Sequence, residues 1–97
     1  MDIEDIKQKV APVLKKHNVS YAGIFGSVAK GNDRPDSDVD ILVKFQKTPG
    51  FFGYLELKEA LEAVLGKTVD LPTTRSLNKN IKDEVYKDLV PIYGRQK

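Results

Sequence analysis

The stretch Asp38-Val39-Asp40-Ile41-Leu42-Val43-Lys44-Phe45 constrains this chain more than any other. Side chains alternate between the two faces of a strand, so Val39, Ile41, Val43 and Phe45 share one face and Asp38 and Asp40 the other. The apolar face suits burial against helices. The opposite face places two carboxylates about 6.5–7 Å apart, where they repel each other and gain nothing from an apolar core. Spacing alone leaves two readings of the pair open. Both aspartates could face water at the end of a sheet edge, or they could share a divalent cation. Hard cations such as Mg²⁺ take oxygen ligands, typically one or two carboxylates plus substrate phosphates and water.

Hydrophobic periodicity organises the rest. Ile3, Ile6, Val10, Val13 and Leu14 predict a helix from Asp2 to about His17, with Asp2 as N-cap, a bend or break at Pro12, and an end at Asn18. Val19 to Phe25 reads as a strand running into a helical turn from Ser27 to about Lys30 that closes at Gly31. Residues 32–37 form a polar loop with strong turn chemistry, and a second strand follows over Asp38 to Phe45. Gln46 to Gly50 make another loop. A helix over Phe51 to Leu65, stopped by Gly66, leads to a third strand, Val69 to Leu71, broken by Pro72. Leu77, Ile81, Val85 and Leu89, four apart, predict a last amphipathic helix ended by Pro91. Helix, strand, strand, helix, strand, helix is an α/β (α+β) chain, a small mixed β-sheet with helices packed on it. Phe51 and Phe52 could belong to the core or to a partner surface.

Two further features bear on the paired aspartates. If Val69 and Leu71 point to the core, Asp70 points to the face that carries Asp38 and Asp40, and a third carboxylate favours the metal reading. An isolated aspartate at a strand end is otherwise a turn residue. Gly26-Ser27 opens a helical turn, where free N–H groups and the Ser27 hydroxyl attract phosphate; taken alone, Ser27 reads as a simple N-cap. Lys30, one turn on, could add charge to the same pocket or sit on the surface. The glycine spacings of a Walker A loop or a dinucleotide fingerprint are absent.

Composition excludes several classes. The 97 residues fit one domain, 1–97, and are 40% apolar and 31% charged, as expected of a soluble globular chain. There is no cysteine, hence no disulfide, thiolate zinc site or cysteine nucleophile. The only histidine, His17, falls at a helix end and supports no histidine-based catalysis. No apolar run approaches the ~20 residues of a membrane span, and the acidic N-terminus lacks the layout of a secretory signal, so a cytoplasmic location is expected. A formal charge of +2 is too small to argue for direct nucleic-acid binding.

Taken together, Phe25-Gly26-Ser27, a ten-residue gap, Ser37-Asp38-Val39-Asp40-Ile41-Leu42-Val43, Leu65-Gly66-Lys67-Thr68-Val69-Asp70-Leu71 and Val90-Pro91-Ile92-Tyr93-Gly94 resemble the polymerase β-like nucleotidyltransferases. The chain is most similar to their minimal (MNT) antitoxin-type members. The resemblance implies a palm-like nucleotidyltransferase fold in which Asp38, Asp40 and Asp70 present their carboxylates to two Mg²⁺ ions, with Asp70 also helping to activate the acceptor hydroxyl. It implies that Gly26 and Ser27 hold the triphosphate of ATP, assisted by Lys30 where the family often has arginine; lysine keeps the charge but loses the bidentate geometry. It further implies a HEPN-domain toxin as partner, one of whose tyrosines accepts AMP, and larger relatives carry an extra helical domain for their acceptors. Two other functions remain in view. One is a non-catalytic antitoxin acting by contact; the other is the catalytic subunit of a small-molecule nucleotidyltransferase.

Overall fold

A computed structural model describes residues 2–32, 34 and 37–94. The elements run α1 (Ile3–Lys16), β1 (Val19–Phe25), α2 (Gly26–Lys30), β2 (Val39–Phe45), α3 (Phe51–Leu65), β3 (Val69–Asp70), α4 (Lys79–Lys87) and β4 (Val90–Gly94). The four strands form one mixed sheet in the order β3-β2-β1-β4. β1 is antiparallel to both β2 and β4, whereas β2 and β3 are parallel and joined through α3. The loop expected over 32–37 lies partly outside the described residues. No described helix is long and apolar enough to cross a membrane.

The two long helices are held by the same device. Ile6, Val10 and Leu14 of α1, and Leu57, Leu61 and Leu65 of α3, stand four residues apart and are buried. They meet Val39, Ile41 and Val43 of β2, Ala22 and Ile24 of β1, and Val69 and Leu71 in one core. Each fully buried aliphatic side chain contributes about 1.5–3 kcal/mol, so this face carries most of the stability. A register shift between Val19 and Tyr21 changes the phase of β1. Val19, Ala22 and Ile24 therefore all reach this core, while Tyr21 is buried outside it. One extra residue in a strand re-aims every side chain beyond it.

Several expectations from sequence need correction. α1 runs unbroken through Pro12. Pro12 and Gln8 are both exposed, so water can take the carbonyl that a proline leaves without a donor. The last helix starts at Lys79, capped by the Asn78 side chain on the N–H groups of Asn80 and Ile81; Leu77 lies before it. A fourth strand, β4, occupies the segment read as chain beyond a helix stop. Pro91 does not prevent pairing because β4 is an edge strand, where a missing donor can face away from the ladder. Phe51 and Phe52 at the start of α3 are 71% and 78% exposed and stack edge-to-face on each other.

These burial differences have a direct consequence. Leu61→Ala should cost about 2–5 kcal/mol, whereas Phe52→Ser should stay within about 0.5 kcal/mol of the parent. Urea denaturation of the two variants measures both; a Phe52 variant as damaged as the Leu61 variant would contradict the assignment of the core.

Candidate active site

Asp40 occupies the second position of β2, on the face opposite the main core. Asp70 lies directly across from it in the parallel pairing of β2 with β3. Val69 and Leu71, on either side of Asp70, are buried in the core, so Asp70 projects to the Asp40 face and is exposed. Asp38, also exposed, stands just before β2, anchored by the Val39 N–H donating to the Thr68 carbonyl at 2.9 Å. The sheet thus brings the three aspartates to one end of the β2–β3 pair.

Electrostatics mark Asp40 as the strained member. Its carboxyl is pushed above the usual aspartate range, first by burial, then by the negative charges of Asp70 and Asp38. Among the described residues no lysine or arginine forms an ion pair with any of the three. Three oxygen-donor groups with no ion-pair partner among the described residues match the ligand set of a hard divalent cation. The side chains are not drawn into a closed cage: no group of three His, Cys, Asp or Glu among the described residues stands at metal-holding geometry.

Gly26 is built around Asp40. It begins α2 with φ +74°, a left-handed conformation that glycine adopts at little cost. A Cβ at this position would overlap the Asp40 Oδ2 atom. The Asp40 carboxylate therefore lies against the backbone at the mouth of α2, with Ser27 half-buried beside it. Glycine is required twice here, by its conformation and by this approach.

Lys30 closes α2 but does not turn toward the carboxylates. Its Nζ pairs with Asp88 at the C-terminal end of α4, at 3.3 Å. The pair sits at a cleft of about 330 Å³ between α2 and α4, lined by Phe25, Gly26, Lys30, Ile81, Val85 and Asp88 among others. This cleft adjoins Asp40 through Gly26. A second cleft, of about 240 Å³, lies between Phe45, Tyr54 and Arg75 and contains none of the three aspartates. Sequence reasoning did not single out Asp88, whose only signal was its acidic character near a helix end.

Comparisons with known proteins identify the family. The model of the family described as "Polymerase beta, Nucleotidyltransferase" matches residues 8–97. This chain belongs to that family. It is a nucleotidyltransferase of the minimal type. A Methanocaldococcus jannaschii protein provisionally named a protein adenylyltransferase is 41% identical over 92 residues, covering 95% of this chain and 99% of the relative. The protein adenylyltransferase MntA of Thermococcus cleftensis is 42% identical over 78 residues, 80% of this chain and 79% of its own. A crystal structure of a toxin–antitoxin with AMP-PNP superimposes with a TM-score of 0.80 at 26% identity, covering 93% of this chain and 74% of that one.

In this nucleotidyltransferase the raised pKa of Asp40 sets a pH dependence opposite to that of a salt-bridged aspartate. Folding strengthens proton binding at Asp40, so its contribution favours the native state at low pH and is lost as pH rises through the folded pKa. In divalent-free buffer at pH 7, Asp40→Asn should melt at a higher temperature than the parent. The gap should close as the pH falls to where the parent carboxyl is protonated. Calorimetry over a pH series checks this, and a gap that widens toward low pH would refute it.

Proposed function

We propose that this chain is a Mg²⁺-dependent protein adenylyltransferase that transfers AMP from ATP to a tyrosine of a HEPN-domain toxin, serving as that toxin's antitoxin. The observation that carries the reading is the packing of Asp40 against the Gly26 backbone with Asp70 opposite and Asp38 adjacent. That arrangement brings the turn that opens α2 and the three carboxylates to one end of the sheet, which supports a phosphate site beside a metal site. The name of the Thermococcus relative and the AMP-PNP-containing toxin–antitoxin structure support the donor and the class of acceptor.

On this reading Asp38, Asp40 and Asp70 hold two Mg²⁺ ions, which when bound neutralise charge on the triphosphate and on the reacting oxygens. Gly26 leaves room for the phosphate tail to approach the backbone, and the Ser27 hydroxyl hydrogen-bonds a phosphate oxygen. The acceptor oxygen attacks the α-phosphorus; the new O–P bond forms as the bond from that phosphorus to the bridging oxygen breaks, releasing pyrophosphate. Asp70, exposed on the edge strand, takes the hydroxyl proton from an acceptor arriving from outside. Positioning and charge neutralisation account for catalysis, with no covalent enzyme intermediate.

Incubation with α-labelled ATP, Mg²⁺ and a HEPN-domain protein, sought in the neighbouring reading frame, should label the latter with AMP. Asp38→Asn/Asp40→Asn should lower the rate by at least about 10²-fold. An unlabelled acceptor in a folded complex, or full toxin neutralisation by the double variant, would replace transfer with neutralisation by contact.

Lys30 joins the phosphate site only by leaving Asp88. Exposed ion pairs are worth about 0–1 kcal/mol, so a triphosphate competes with this one easily. Asp88→Asn should accordingly tighten ATP binding by about two- to fivefold in isothermal titration. Unchanged or weaker binding would remove Lys30 from the phosphate site.

A further inference from the structure

β3 is a two-residue strand at the edge of the sheet. Its inner side is tied to β2, with Val39 N–H donating to Thr68, Val43 N–H to Pro72, and Thr74 N–H to the Val43 carbonyl, at 2.9–3.1 Å. Its outer side has no strand beside it, and an edge of this kind leaves backbone donors and acceptors to be satisfied elsewhere. Here α3 supplies partners for two of them. Glu62 Oε2 accepts the Val69 N–H at 2.9 Å, and the Tyr54 hydroxyl donates to the Leu71 carbonyl at 2.6 Å. These two bonds fall on the residues immediately before and after Asp70.

The two side chains form one device. Tyr54, Lys58 and Glu62 are spaced by four, hence on one face of α3, and Lys58 pairs with Glu62 at 3.1 Å. The Val69 N–H and Lys58 hold the Glu62 carboxyl below its usual range, as a committed acceptor should be. Leu57, Leu61 and Leu65 fix the same helix in the core. The Asp70 carboxylate makes no hydrogen bond or ion pair to another described residue, so its place is set by its backbone.

We infer that Glu62 and Tyr54 are positioning residues for nucleotidyl transfer: they stand in for a fifth strand and hold Asp70 opposite Asp40. This rests on the reading of Asp70 as part of the site. Neither side chain bonds to the Asp70 carboxylate; both act through the backbone of residues 69–71. A misplacement of the order of an ångström at a reacting centre can cost about 10²-fold in rate, and on its outer side this two-residue strand has no neighbouring strand to prevent one.

The experiment uses Tyr54→Phe, which keeps the ring, and Glu62→Ala, compared with Glu62→Gln, which keeps an acceptor for Val69. With the HEPN-domain protein as acceptor, Tyr54→Phe and Glu62→Ala should lower kcat about tenfold while KM for ATP changes less than about twofold. Glu62→Gln should recover most of the rate. In an Asp70→Asn background neither substitution should lower the residual rate further, because the path it acts through is already cut. An unchanged kcat in both variants, or an equal loss in the Asp70→Asn background, overturns the inference. A second readout is independent of transfer. Mn²⁺ affinity should fall about three- to tenfold in Tyr54→Phe and not at all on adding it to Asp70→Asn, and the Val69 amide should exchange faster in Glu62→Ala. If the parent binds Mn²⁺ but labels no acceptor, the functional reading fails, and the Mn²⁺ and exchange results alone decide the clamp. Unaltered affinity and protection would end it.

Discussion

The crowding of negative charge around Asp40 is the constraint from which the other features of this end of the molecule follow. A half-buried carboxylate facing Asp70 across the sheet, with Asp38 two residues before it, raises the free energy of the folded chain. Cores do not retain such a cluster for stability; an asparagine in the same place would avoid both desolvation and repulsion. Gly26 has to be glycine because the Asp40 carboxylate occupies the volume of its side chain. The compensation lies on the opposite face, where two helices bury aliphatic residues against the same strands. Local destabilisation carried by a well-packed scaffold is the usual signature of a functional site.

Placement on strands gives the site its precision. Asp40 lies within β2, bonded on both sides, so its Cα is among the better-fixed points of the fold. β3 has only one strand neighbour, and the parallel β2–α3–β3 connection that brings Asp70 alongside also brings α3 over the edge. One helix therefore serves twice. Its leucine row holds the core, and a row of polar side chains on another face closes the ladder beside Asp70. Sites on regular elements supported by such second contacts hold geometry better than sites on loops.

Much of this was legible in the residues, and the failures have physical causes. The alternation through 38–45 is a strong period-2 signal, and the burial of Val69 and Leu71 sends Asp70 to the face expected. Gly31 and Gly66 end their helices in the left-handed conformation that their position suggested. β4 escaped because Pro91 reads as a stop, and only the strand order reveals that it stands at an edge where proline is tolerated. The phase change in β1 comes from a bulge that period-2 counting does not detect. The short distance along the chain from Gly26 to Lys30 suggests a shared pocket; its partner, Asp88, is remote in sequence. Glu62 and Tyr54 look like ordinary helix-surface and amphipathic positions, since their bonds depend on where α3 crosses the sheet edge.

The positions of the three carboxylates in the sheet suit a division of labour on the proposed reading. Asp40, the most enclosed, touches the turn that opens α2 and the cleft beyond it, which is the side where a nucleotide's phosphates have backbone to approach. Asp70, on the edge strand and exposed, is the carboxylate that a group carried by another macromolecule can reach without entering the fold. An acceptor on a second protein needs such an edge, because a folded surface cannot follow its tyrosine into a deep pocket. The same edge has a strand neighbour on one side only, so accessibility and positional precision conflict at residue 70. Two side chains from α3 on the backbone flanking Asp70 reconcile them, fixing the strand from its outer side while leaving the carboxylate itself open to the acceptor.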